Sequence, residues 1–245
     1  MPGYAANIVH AAHAEDNEMR VSRLIKRVYL IVRGIPKTLL FNFVYFDVRT
    51  ALRVPVVVSH RVKLARLDGR VVLGTRPRFG MIRIGFGEVG VFDQDRSRGI
   101  WDVAGSVRFD GAAYIGHGSK IAVGTSGELI CGAGFGITAE STIYCAKLIS
   151  FGSKCLLSWH VLVMDTDSHV ILARDGTTVN SPEPIRVGDH VWIGCRALVL
   201  KGSVVGNDCV VAAGSTVTKM IPGDNQIIGG SPCRVLREGI QWRVV

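Results

Sequence analysis

Aromatic residues are scarce in this chain of 245, at 7%, although hydrophobic residues make up 48%. A core must therefore be built chiefly from aliphatic side chains. No window reaches the roughly 18 apolar residues that a membrane span needs, and no basic segment followed by an apolar run opens the chain. Neither a spanning helix nor a secretory leader is expected. The six cysteines (131, 145, 155, 195, 209 and 233) form no Cys-x-x-Cys pair. Zinc-finger spacing and interleaved aromatic and basic motifs are also missing, so nucleic acid is not an expected partner. Acidic residues are outnumbered, 20 Asp and Glu against 29 Lys and Arg, for a net charge of +9. That balance favours anionic partners such as a membrane surface or a phosphorylated ligand. Together these features fit a cytoplasmic protein whose cysteines are small buried hydrophobes.

What is present is a repeat. Val187, Ile193, Val199, Val205, Val211 and Val217 place a branched aliphatic at every sixth position. Gly188, Gly194 and Gly206 follow three of them, and Ala197, Ser203, Cys209 and Ser215 stand four positions after the later ones. A helix repeats near 3.6 residues and a lone strand at two, and neither requires this pattern. A period of six marks a parallel β-helix, with the aliphatic filling the interior and the small residue fitting a corner. The register is weaker at Phe109, Ile115 and Ile121, shifts phase, and resumes at Ile137, Ile143, Ile149, Cys155 and Val161. Cys131 and Cys155 fall on interior positions. Earlier still, strands broken by glycine are expected over 56–59, 62–67, 71–73 and 81–84.

Residues 1–17 read as a small, polar tail. Val21, Leu24, Ile25, Val28, Ile31 and Val32 recur at helical spacing over 18–33, with Arg20, Arg23, Lys26, Arg27 and Arg33 around them. Gly34 and Pro36 are expected to break that helix before a second apolar segment, Leu39–Phe46. Two arrangements suit a basic amphipathic helix, and they are compatible: packing over one end of the solenoid, and lying on an anionic membrane. The chain thus divides into a tail and amphipathic helices over 1–50, a β-helix over 51–237, and a C-terminal tail over 238–245. A loop over 162–186 interrupts the β-helix.

That interruption holds Asp165, Asp167 and His169. A long excursion from a regular solenoid is usually functional. A histidine suits a base at neutral pH, and a nearby carboxylate can fix its tautomer. Either Asp165 or Asp167 could do this or bind sugar hydroxyls; the sequence does not choose.

The segment VWIGCRALVLKGSVVGNDCVVAAGSTVTKMIPGDNQIIGGSPCRVLR (191–237) resembles the C-terminal signature of hexapeptide-repeat acyltransferases. With SWHVLVMDTDSHVI (158–171), it is most similar to polysaccharide O-acetyltransferases related to the galactoside, maltose and xenobiotic enzymes. The resemblance implies an all-β solenoid, a left-handed parallel β-helix with an N-terminal α-helical segment, working as a homotrimer with sites between subunits. It implies acetyl-CoA as co-substrate, direct transfer without a covalent carrier or metal, and a sugar or glycan acceptor; the basic N-terminal helix would fit an acceptor carried at the inner membrane face. His169 matches the catalytic base, and Trp192 an aromatic on the acceptor side, with Trp159 and His160 also facing the cleft. Gly194 and Cys195 match the turn that receives the thioester, Ala213 and Gly214 the small residues along the pantetheine arm. Thr218, Lys219, Arg234 and Arg237 match the polar and basic groups near the nucleotide phosphates. Cys195 replaces a serine of some relatives, and the acceptor-binding residues have no match around 131–147. Other readings are N-acetylation of an amino sugar or other amine, a non-catalytic scaffold, and a metal enzyme using His160, His169 and His190.

Overall fold

The computed structural model describes residues 28–244. The expected tail over 1–17, residues 18–27 of the expected helix and Val245 lie outside that range. Among the described residues, twenty-three short strands run from β1 (Val56–Val58) to β23 (Arg234–Glu238). The first twenty-two wind in order through three sheets, so every third strand joins the same sheet. Neighbouring strands are parallel except the last pair, β22 (Gln226–Gly229) with β23. This is the expected all-β solenoid, and the resemblance assigns its left-handed sense.

The register explains the sixfold spacing. Val187 pairs with Val205, Ile193 with Val211 and Val199 with Val217, each offset by three hexads. All six are buried, so each side of the coil contributes one aliphatic column to the interior. Burying such a side chain contributes about 1.5–3 kcal/mol. Ala197, Ser203, Cys209 and Ser215 are buried at the corners, as their size demands. Earlier coils are longer: Ile121 pairs with Ile143, and Ile143 with Val163. The extra residues sit at corners and produce the phase shift, while the inward positions stay aliphatic or aromatic.

The N-terminal segment departs from expectation. Helix α1 runs unbroken over 28–45, through both Gly34 and Pro36. Gly34 faces the backbone of Val58, where any Cβ would collide with the carbonyl, so this glycine permits close approach. Pro36 is on the exposed side, and docking outweighs the one hydrogen bond its ring removes. Thr38 Oγ1 accepts from the N–H of Val58 and donates to its carbonyl. Asn42 does the same for Val56, accepting from its N–H and donating to its carbonyl. The helix thus covers the otherwise open edge of β1. Phe41 packs on Trp101, whose Nε1 donates to the Tyr45 hydroxyl.

Two further boundaries move. Leu162–Met164 and Ile185–Val187 are strands of the coil, which confines the excursion to 165–184. The expected C-terminal tail is anchored: Ile240 donates to the Asn225 carbonyl, and the Trp242 ring stacks on His190 at 4.2 Å.

Candidate active site

The corner after each strand of the nine-stranded sheet stacks directly on the corner of the next coil. His117 N–H donates to the Phe86 carbonyl, Glu140 to His117, Arg196 to Trp159 and Gly214 to Cys195. One edge of the solenoid therefore carries, in order, His117, Glu140, Trp159 and His160, Gly194 and Cys195, and Ala213 and Gly214. Trp192 stands on the adjoining sheet, 38% exposed, and its Nε1 donates to Ser158 Oγ at 2.9 Å. Ala213 and Gly214 are exposed, and Gly214 has φ of +69° with open space where a Cβ would lie. These expected site residues do come together, as a lane of small residues below an aromatic pair.

His169 leaves from a different edge. The excursion 165–184 joins a strand of the second sheet to one of the third, whereas the lane lies where the nine-stranded sheet meets the second. The His169 ring is exposed, and no hydrogen bond or ring contact ties it to the lane or to any other described residue. Its backbone is held instead. Asn180 Nδ2 donates to the His169 carbonyl at 2.7 Å and to Asp167 Oδ2 at 2.9 Å. Lys201 Nζ also reaches Asp167 Oδ2, at 2.6 Å. Lys201, then Asn180, hold the Asp167 carboxyl below the usual carboxylate range. Asp167 therefore staples the loop to the wall and makes no contact with the imidazole.

Asp165 corrects the sequence reading more strongly. It is fully buried. Its Oδ1 accepts from the Ala146 N–H at 2.7 Å, and its Oδ2 from Lys147 and Leu148 N–H at 2.8 Å each. A carboxylate committed to three backbone donors is a turn anchor, unavailable either to orient His169 or to bind a sugar.

The basic groups are divided. Thr218 and Lys219 sit at the corner after the last strand of the second sheet, while Arg234 and Arg237 are on β23. All four are exposed, and the Cys233 N–H to Thr216 carbonyl bond brings the start of β23 beside that corner. Burial pushes the Cys155 thiol up to about 11 and, with Asp165 beside it, the Cys145 thiol to about 12. Cys131 is raised as well. Such thiols are poor nucleophiles at neutral pH. His190 Nδ1 is 2.8 Å from Asp208 Oδ1, and His160 packs edge-on against Phe92. No group of three or more metal-ligating side chains is found among the described residues.

The sequence reading missed Phe92, Ser97, His117 and Glu140, which gather at the upper end of the lane. A signal was available: His117 follows inward-facing Ile115 by two positions, as Cys195 follows Ile193 and Ala213 follows Val211.

Residues 184–219 match the family model for the bacterial transferase hexapeptide (six repeats). The chain carries the hexapeptide repeat. Over 127 residues this hexapeptide-repeat chain is 32% identical to the galactoside O-acetyltransferase of Escherichia coli K12, covering 51% of the chain and 57% of that protein. It is also 32% identical over 111 residues to the galactoside O-acetyltransferase of Lactococcus lactis, covering 43% and 49% respectively. The chain thus spans about half the length of these curated relatives. Among solved structures, it resembles a galactoside acetyltransferase in complex with coenzyme A at 26% identity. That match covers 54% of this chain and 64% of the other, with a TM-score of 0.44. A polysialic-acid-specific acetyltransferase is similar at 20% identity, covering 78% and 79%, with a TM-score of 0.47.

Proposed function

We propose that this chain is an acetyl-CoA-dependent O-acetyltransferase that modifies a sugar hydroxyl of a surface-polysaccharide or glycan precursor. The observation that carries this reading is the division of the site between two edges. The lane of small residues lies on one edge, while the excursion that presents the exposed His169 leaves from another, where no described side chain partners the imidazole. A homotrimer in which the excursion of one copy reaches the lane of the next completes both halves. The Gly194–Cys195 turn and the Ala213–Gly214 lane then take the thioester and its pantetheine arm. Thr218, Lys219, Arg234 and Arg237 supply cations for the phosphates. His169 accepts the proton of the attacking hydroxyl as its oxygen bonds to the thioester carbonyl carbon. Backbone N–H groups of the turn steady the oxyanion, and the coenzyme leaves as the thiol after receiving that proton. Calorimetry on the purified chain should register one micromolar acetyl-CoA site per chain, and its mass in solution should be that of three chains. A folded trimer that ignores acetyl-CoA would sink the reading.

Helix α1 supports a place at the inner membrane face. No helix among the described residues is long and apolar enough to cross a membrane. The α1 side chains Thr38 and Asn42 are spent on β1 and Phe41 on the core, and most of the other apolar residues face outward. Val28, Ile31, Val32, Ile35, Leu39, Leu40, Phe43 and Val44 are all exposed. No acidic residue occurs between 28 and 46, where Arg33 and Lys37 are the basic ones, and Arg49 and Arg53 follow shortly after. Such a face suits an anionic bilayer. The protein should sediment with phosphatidylglycerol vesicles, less so in high salt, and hardly at all with Leu39→Glu and Phe43→Glu together. Equal recovery of the double variant would remove α1 from the membrane.

A further inference from the structure

A cavity of about 420 Å³ lies beside the start of α1, on the outward face of the nine-stranded sheet. That size suits a small-molecule site, which spans about 300–1,000 Å³. Its base is the outward row of Val57, Arg83 and Tyr114, register neighbours on three adjacent strands. Leu30 and Ile31 come to it from α1, and Phe79 and Gly80 from the turn before β4 (Ile82–Phe86). Phe86 and Gly87 complete the lining at the end of β4. Gly87, at φ of +99°, makes room for Tyr114, whose hydroxyl any Cβ there would strike. None of these residues belongs to the lane or to the excursion that bears His169.

The lining asks for a hydrocarbon. Phe79 is 75% exposed and Ile31 48%, and a chain laid between them takes both out of water. Ile31 also belongs to the exposed apolar face of α1, so the cavity and that face share a wall. The charges choose the head group. Arg83 lines the cavity, and the exposed Arg76 and Arg78 precede Phe79 on its turn. Among the described residues, no ion pair holds any of these three. Glu88 is the one carboxylate in the described lining, and it is itself engaged. The balance favours an anion, and a guanidinium fits phosphate in two-pronged fashion. Arg83 also shares its outward row with Trp192, four strands further on, at about 4.8 Å per strand. A short glycan attached at the phosphate spans that interval.

We infer that this cavity seats the hydrocarbon chain of a single-chain lipid phosphate, with Arg83 against the phosphate. On the acetyl-transfer reading that lipid carries the acceptor glycan, but its binding needs no acetyl donor. Calorimetry of the full chain with dodecyl phosphate, below its micellar concentration, should register one saturable site per chain. Dodecyltrimethylammonium has the same chain and the opposite charge, and inorganic phosphate has no chain; both should bind at least tenfold more weakly. Arg83→Ala and Phe79→Asp should each weaken dodecyl phosphate at least tenfold. Both side chains are exposed, so Tm should hold in either variant. Leu39→Glu and Phe43→Glu together, outside the cavity, should leave the affinity unchanged. No saturable site, equal binding of the cationic amphiphile, or an unchanged affinity in either single variant would overturn the site. So would loss of binding in the Leu39 and Phe43 double variant, which would give the amphiphile to the open face of α1. Equal affinity for dihexanoyl phosphatidylglycerol would overturn it too, in favour of bulk phospholipid. Failure to bind acetyl-CoA by a protein that binds dodecyl phosphate would overturn only the transfer reading.

Discussion

Replacing His169 with alanine is expected to lower acetyl transfer at least about a hundredfold while leaving acetyl-CoA affinity nearly unchanged. The fold gives no reason for the variant to unfold: the ring is exposed and touches no described residue, and Asn180 grips the carbonyl, which alanine retains. Tm should therefore match the wild type. The same geometry makes a sharper prediction. If the excursion of one copy serves the lane of another, two dead chains should rescue each other when mixed. His169→Ala chains keep a good lane, and Ala213→Trp chains keep a good histidine but block the pantetheine path. In mixed trimers some sites pair the intact histidine with the intact lane, and activity returns. No recovery from co-refolded chains, with each parent still trimeric, would place both halves of the site on one copy. Near-normal turnover by His169→Ala alone would move the base elsewhere, with His117 the first candidate.

The coil from Val187 onward was legible because its turns contain no insertion, so register and sequence spacing coincide. Above it, longer corners blur the period although the inward residues persist. The helix was misread at Gly34 because a glycine that admits a neighbouring backbone looks the same as one that ends a helix. Its facing was not legible: Thr38 and Asn42 turn inward because the edge of β1 offers them hydrogen bonds. The small residues of the lane were legible, since the spacing gives the corner. Ser97, His117 and Glu140 were not, because only the stacking of three coils makes them neighbours. Proximity to His169 in sequence likewise misled for Asp165, whose partners lie on the preceding coil.

Asp165→Ala is accordingly expected to be a folding mutation, and a severe one. It removes the acceptor for three N–H groups at the turn leading into β12 (Leu148–Phe151), in a place where the carboxylate is fully buried. Each stranded donor costs about 1–3 kcal/mol, and water entering the vacated space recovers part of that. A net loss of about 3 kcal/mol or more is a large share of a typical domain's stability. The Glu183 N–H closes the excursion onto the Asp165 carbonyl, so the loop bearing His169 loosens with the turn. Urea denaturation should show the lost stability as a lower midpoint, and activity should fall with the folded fraction. A catalytic Asp165 would give the reverse result, a normal midpoint with crippled turnover. Comparing the two variants therefore separates the carboxylate that builds the loop from the imidazole that the loop presents: Asp165→Ala moves the midpoint, and His169→Ala moves only the rate.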